Sequence, residues 1–169
     1  MAYSSIIKPS TFMNPKIYTG NGGTNAQTGV GFQPNWVWLK QRGGSAASHK
    51  LYDSVRGTTK YLASNNTGAE ATDSNGLTAF GTDGFTVGSS AGTNANGQTY
   101  VGWNWKAGTS VSGNSGGSGT AKSYTGSVST ASGFSIIKYI GNGSSGHTIP
   151  HHLGAIPQWV VIKELPNAS

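Results

Sequence analysis

Part of this amino-acid sequence occurs twice, and the repeat restricts what the chain can fold into. The run Tyr18–Gly22 returns as Tyr139–Gly143, and the run Trp36–Lys40 returns as Trp159–Lys163 after a loop that is two residues longer. Each run is short and β-prone, and Gly-rich loops follow them, so the repeated unit is predicted to be strand, loop, strand. Two interpretations follow: a longer gene product with a second module, or two extra strands that complete one fold.

The composition favours an all-β chain. It contains 27 Gly and only 9% charged residues, which leaves little of the Glu, Lys and Ala that surface helices need. The run Trp36–Lys40 is apolar on both faces, which is typical of a central strand between two layers. We therefore predict a β-sandwich or jelly roll, with no helix.

Two further patterns predict particular strands. In Thr99–Lys106, residues Val101, Trp103 and Trp105 alternate, so they share one face, which we expect to be core together with Trp36. An Asp83-Gly84 pair between two short β-prone runs predicts a hairpin.

These patterns divide the chain into four parts. Residues 1–15 are an entry segment, and 16–108 are the β-sandwich module. Residues 109–132 hold little but Gly, Ser, Thr, Ala and Asn, and read as a linker or a long surface loop. Residues 133–169 are the partial second copy, or strands that complete the first sandwich.

Charge and cysteine content limit the kinds of partner and metal site that the chain can have. The net charge of +6 comes from Lys and Arg spread singly along the chain, so we predict no nucleic-acid binding, while attraction to an anionic polysaccharide stays open. There is no cysteine, which excludes disulfides and zinc-thiolate sites. No run of apolar residues is long enough for a membrane span, so no membrane insertion is expected.

Catalytic motifs occur, but they lack their usual context. Gly88–Gly92 and Gly113–Gly117 match G-x-S-x-G, and neither precedes a helical pattern. Gly141–Gly146 matches G-x-G-x-x-G, but Pro150 follows where a phosphate-binding helix would begin. The chain has only five carboxylates, and glycoside hydrolysis needs two of them in one cleft. We predict that the chain is not an enzyme, and we expect no cofactor.

Candidate binding residues are few. Tyr52, Asp53 and Arg56 are candidates for ligand contact, although an Asp53–Arg56 ion pair at the Gly57 turn is the favoured interpretation. Tyr52, Tyr61 and Tyr124 are candidates for exposed rings that stack on sugars.

Three histidines raise a metal hypothesis. His147, His151 and His152 lie close in sequence, and imidazoles from neighbouring loops can bind a transition metal. Adjacent His151 and His152 would point to opposite faces of an extended segment, so we expect surface histidines and no metal.

One series of motifs resembles a known family. The series comprises Tyr18–Gly22, Gly29–Pro34, Trp38–Lys40, Leu51–Gly57, Asp83–Phe85 and Tyr100–Gly108. Over residues 12–108 it is similar to a tandem domain of tail-fibre and virion-surface proteins of marine and other environmental bacteriophages. The resemblance implies a concanavalin-A-like or laminin-G-like β-sandwich in a virion structural protein. It carries no catalytic residues.

The resemblance and the residues together leave two functions open. The first is a tail-fibre or appendage module for host attachment, made in the host cytoplasm, with a homotrimeric assembly, other virion proteins as partners and a host-surface polysaccharide as a candidate ligand. The alternative is a capsid-decoration or extracellular filament subunit that assembles by strand exchange.

Overall fold

The fold is almost entirely β-structure, as the composition predicts. The computed structural model describes residues 8–44 and 47–165. Within them lie one 3-10 turn, Pro9–Thr11, and one helical turn, α1, Ala91–Asn94. The strands are β1 Met13–Thr19, β2 Asn25–Gln27, β3 Trp36–Gln41, β4 Lys50–Asp53, β5 Gly57–Ala63, β6 Ala71–Thr72, β7 Leu77–Gly81, β8 Gly84–Val87, β9 Thr99–Trp105, β10 Thr109–Asn114, β11 Gly116–Gly117, β12 Ser123–Ser129, β13 Phe134–Tyr139 and β14 His147–Thr148.

Two antiparallel sheets pack into a sandwich. The large sheet has the order β1-β9-β3-β4-β5-β6, and the small sheet has the order β2-β8-β7. The core between them is formed by Tyr18, Val37, Leu39, Tyr52, Leu77, Phe85, Val87 and Tyr100. The predicted central strand is confirmed, because β3 lies between β9 and β4. The predicted hairpin is also confirmed, because β7 pairs with β8 across the turn Thr82-Asp83, with Gly81 opposite Gly84.

The prediction of a core made of tryptophans is wrong. Val101, Trp103 and Trp105 do share one face of β9, but the inward positions belong to Tyr100 and Asn104, both fully buried. Strand alternation groups residues by face without saying which face is inside, and in β9 the more apolar face is the outer one. The tryptophans are partly buried on the outer face of the large sheet.

The prediction of a linker over residues 109–132 is also wrong. This segment contains β10, β11 and β12, and β10-β12-β13 form a third antiparallel sheet. The few apolar side chains of this third sheet form a small core, since Tyr124, Val128 and Ile136 are all buried. A Ser- and Gly-rich composition resembles a linker, but pairing of β12 with β10 and β13 fixes it as strands. A pair of short strands, β11 and β14, lies beside this sheet.

The sequence repeat is visible in the pairing of strands. In the first copy β1 pairs with β9, and Tyr18 lies opposite Tyr100. In the second copy β13 pairs with β12, and Tyr139 lies opposite Tyr124. The second repeated run, 156–163, forms no strand, although its counterpart in the first copy is β3.

In the described ranges, 8–44 and 47–165, no helix has the length and apolar character to cross a membrane.

Candidate functional site: a tryptophan face on the large sheet

An aromatic surface covers the outer side of the large sheet. It is formed by large apolar side chains that point outward from β1, β3 and β9, and we call it the tryptophan face: Met13, Ile17, Trp36, Trp38, Val101, Trp103 and Trp105. Lys40 lies at its edge, opposite Val101. The strand register places Trp36 opposite Trp105 and Trp38 opposite Trp103. Cross-strand aromatic pairs of this kind stabilise a sheet and also leave ring surface available for contact.

A cleft opens in the tryptophan face. Its volume is about 280 Å³, and it is lined by Met13, Trp38, Trp103, Trp105 and Trp159. The ring planes of Trp38 and Trp103 meet at 73° with centroids 6.0 Å apart. Four of the five lining residues are tryptophans, so the cleft offers flat aromatic surfaces and an apolar environment.

The rings on either side of the cleft are held in place by neighbours. Phe134 of β13 stacks on Trp105 at 5.9 Å and meets Trp36 edge-on at 6.3 Å, so the third sheet braces one end of the face. At the other end, Trp38 Nε1 donates a hydrogen bond of 2.8 Å to His49 Nδ1. The walls of the cleft that belong to the large sheet are therefore preformed, whereas the Trp159 wall is 68% exposed.

The Trp38–His49 bond depends on the protonation of the histidine. Burial and the nearby positive charge of Lys40 lower the pKa of His49 below its ordinary value of 6.5. The imidazole is thus neutral at pH 7, which leaves Nδ1 free to accept the indole proton. This contact joins β3 to the residue before β4, and sequence reasoning did not find it because no local pattern pairs the two side chains.

The candidate ligand residues do not line the cleft, although Asp53 lies opposite Trp36 on the outer side of the large sheet. Tyr52 is fully buried in the core, and Asp53 and Arg56 form an ion pair of 2.5 Å. The favoured interpretation of an Asp53–Arg56 pair is confirmed. Arg56 also contacts Glu70 at 3.3 Å and donates to the carbonyl of Leu51, so this cluster braces the turn between β4 and β5.

Two more carboxylates hold loops in place. Asp73 accepts hydrogen bonds from Lys50 and from the hydroxyl of Ser90, at 2.7 and 2.6 Å. Burial raises the pKa of Asp73, but these two bonds outweigh it and hold the pKa below its ordinary value. Asp83 accepts from the backbone N–H groups of Gly29 and Gly31, and these bonds lower its pKa.

Tyrosines expected at the surface behave differently from one another. Tyr61 is half-buried against the core, whereas Tyr124 is only 6% exposed. The expectation of exposed rings is therefore wrong for Tyr52 and Tyr124, because both lie on inward positions of strands. The exposed aromatic surface of this protein is the tryptophan face, whose residues on β9 were predicted to be core.

The three histidines have separate partners. His152 contacts the hydroxyl of Tyr124 at 2.9 Å, and His151 Nδ1 accepts from the backbone N–H of Leu153. His147 Nε2 lies 2.6 Å from Ser115 Oγ. In the part of the chain that the structure describes, no group of three histidine or acidic side chains is arranged to hold a metal ion.

The Ser115–His147 contact involves the serine of one G-x-S-x-G match. Ser115 Oγ also accepts the backbone N–H of Lys122, and Ser115 is only 5% exposed. Among the described residues His147 forms no ion pair with a carboxylate, so the orienting third group of a triad is missing there. The contact ties β11 to β14 and to the start of β12. In the other match, Ser90 is bonded to Asp73.

Comparisons with known proteins give one result. A search of curated proteins and of solved structures finds no match to this chain. A family model described as "Domain of unknown function (DUF7483)" matches residues 8–169, across both copies of the repeat and without a break at the predicted linker. The chain belongs to this family of domains of unknown function.

Proposed function

We propose that this chain is a non-enzymatic structural protein of a bacteriophage virion, a tail-fibre or appendage module that attaches to a host surface through the tryptophan face. The observation that carries the binding role is the cleft of four tryptophans on the outer side of a rigid sheet. The resemblance of the motif series to phage virion proteins supports the setting. A homotrimer is the expected assembly.

The distribution of carboxylates supports a role without catalysis. Asp53, Glu70, Asp73 and Asp83 are all engaged in ion pairs or loop-bracing hydrogen bonds, and Glu164 lies exposed. A glycosidase needs a free acid and a free base or nucleophile on either side of one bond. The aromatic cleft supports stacking instead, since flat rings suit the apolar C–H faces of a sugar or another flat ligand.

The binding role is tested by tryptophan fluorescence. Purified chain is titrated with surface polysaccharides from host bacteria, and Trp103→Ala is compared with Tyr139→Ala, a partly exposed ring outside the face. We expect quenching that the first variant weakens about tenfold or more and the second leaves unchanged. Equal loss in both variants, or no binding by any polysaccharide, contradicts the binding role.

The setting and the lack of catalysis are tested separately. Antibody labelling of virions by electron microscopy is expected to mark an appendage. A reducing-sugar assay on the same polysaccharides is expected to give no product, and release of reducing ends contradicts a role without catalysis.

One observation favours the second candidate, a capsid-decoration or filament subunit. The repeat of β3 at residues 156–163 is mostly exposed and pairs with no strand among the residues that the structure describes, as a strand donated to a neighbour would be before assembly. Sedimentation distinguishes the two candidates, because a fibre module forms a discrete trimer and a filament subunit forms an open polymer.

A further inference from the structure

The last described residues lie across the tryptophan face with few contacts. We call residues 156–165 the tail. Trp159 forms one wall of the cleft, Lys163 Nζ donates to the carbonyl of Asn66 at 2.8 Å, and the carbonyl of Leu165 accepts from the N–H of Glu70 at 2.9 Å. The last two contacts reach the segment between β5 and β6, so the tail crosses the large sheet.

The other side of the tail is apolar and exposed. Ile156, Trp159, Val160, Val161 and Ile162 are each between 55% and 84% exposed. A contiguous run of large exposed apolar side chains marks an interaction surface in a soluble protein. The tryptophan face also extends beyond the tail, since Ile17 on the edge strand β1 is 60% exposed.

The backbone of the tail is also without a sheet partner. From Ile156 to Glu164, no backbone hydrogen bond to another backbone group is found in the described structure. The same sequence pattern in the first copy is β3, which is paired on both edges by β4 and β9. An unpaired β-prone segment is a template for pairing with another strand.

The second copy reproduces its other strands. The β12–β13 ladder repeats the β9–β1 ladder, since Gly126 lies opposite Ile137 as Gly102 lies opposite Lys16, two residues from each tyrosine pair. Only the β3 counterpart is left outside a sheet. In the first copy, the strand with this sequence pattern is β3, and its partners β4 and β9 belong to the same chain.

We propose that the tail is a self-association surface, and that a second copy of this chain covers its exposed side. The chain's own fold already accepts this sequence pattern, as β3. Charge also allows it: residues 156–162 carry no charge, so two tails in contact would bring no like charges of this run together. Both sides of the tail are apolar, so both are stabilised by burial. The large sheet of the same chain contacts only one side, and the other side stays exposed. This inference rests on the structural role proposed above.

The test compares two lysine substitutions by sedimentation velocity. Val161 in the tail and Ile140 after β13 are 55% and 56% exposed, so Val161→Lys and Ile140→Lys remove similar apolar surface and add the same charge. We expect the wild-type chain to self-associate at micromolar concentrations. Val161→Lys should weaken this association by about tenfold or more, and Ile140→Lys should not.

Three results would overturn the proposal. They are a wild-type chain that stays monomeric into the millimolar range, an association that Val161→Lys leaves intact, and an equal loss in both variants. Hydrogen exchange gives an independent measure, because amides 158–163 should gain protection as concentration rises. A monomeric chain that is still found on virions and still binds polysaccharide would refute self-association and the expected homotrimer, and would leave the virion setting and the binding role standing.

Discussion

The buried Asp53–Arg56 pair predicts the largest loss of stability from a single polar substitution. Its side chains are 2% and 5% exposed. In Arg56→Met the Asp53 carboxylate loses its counter-charge but stays buried, keeping only the backbone N–H bonds from Val55 and residue 56. Removing one partner of a buried pair costs roughly 3–5 kcal/mol. Because the carboxylate keeps two donors, we expect about 3 kcal/mol, the lower end of that range.

Urea unfolding followed by circular dichroism at pH 7 measures this loss. For a chain of this length, about 2–4 °C is lost per kcal/mol, so the melting temperature should fall by about 6–12 °C. The double variant Asp53→Asn, Arg56→Met removes both charges and should recover at least half of the lost free energy.

Two outcomes would refute this reasoning. A loss below about 1 kcal/mol in the single variant would mean that the pair behaves like an exposed surface bridge. Losses in the double variant that equal the sum of the two single losses would mean that the two groups do not interact.

Three other perturbations have defined outcomes. A Cβ at Gly84, whose φ is +148°, would overlap the carbonyl of Gln27, so Gly84→Ala should lower the free energy of unfolding by more than about 2 kcal/mol in urea, whereas Gly141→Ala, in open space, should change little. His49 should titrate below pH 6.5 by NMR, and stability should fall as the pH drops below 6.5, because the folded state favours the neutral imidazole. The contribution of Asp73 is complete above pH 3.8 and is lost as the pH falls through its lower folded pKa, so Asp73→Asn should flatten the acid limb of a stability profile.

Local sequence patterns predicted where strands lie better than they predicted which side of a strand faces the core. The alternation in β9 and the Asp83-Gly84 turn are short-range features, and both were confirmed. The direction of the tryptophans depends on which side of the large sheet receives the small sheet, and no residue of β9 encodes that. The cleft was therefore missed, although all of its tryptophans had been noted.

Composition alone failed at residues 109–132. A run of Ser, Thr and Gly has no strong preference of its own, so its structure is set by what it can pair with. Here β12 gains β10 on one edge and β13 on the other, and Phe134 connects this sheet to the tryptophan face. Pairing between strands also explains why the candidate ligand residues became bracing groups: Asp53 and Arg56 close the turn between β4 and β5, which are themselves paired.

The repeated run shows how far sequence determines a strand. Trp36–Lys40 and Trp159–Lys163 share their pattern, yet the first is a central strand and the second has no regular structure. Intrinsic preference is similar in both, so the difference lies in partners. β3 has β4 and β9, whereas the tail has a surface beneath it but no neighbouring strand within residues 8–44 and 47–165. A β-strand completes its hydrogen bonds only through another strand. The tail is thus a strand sequence without a sheet, and this is why a second copy of the chain is the partner to look for.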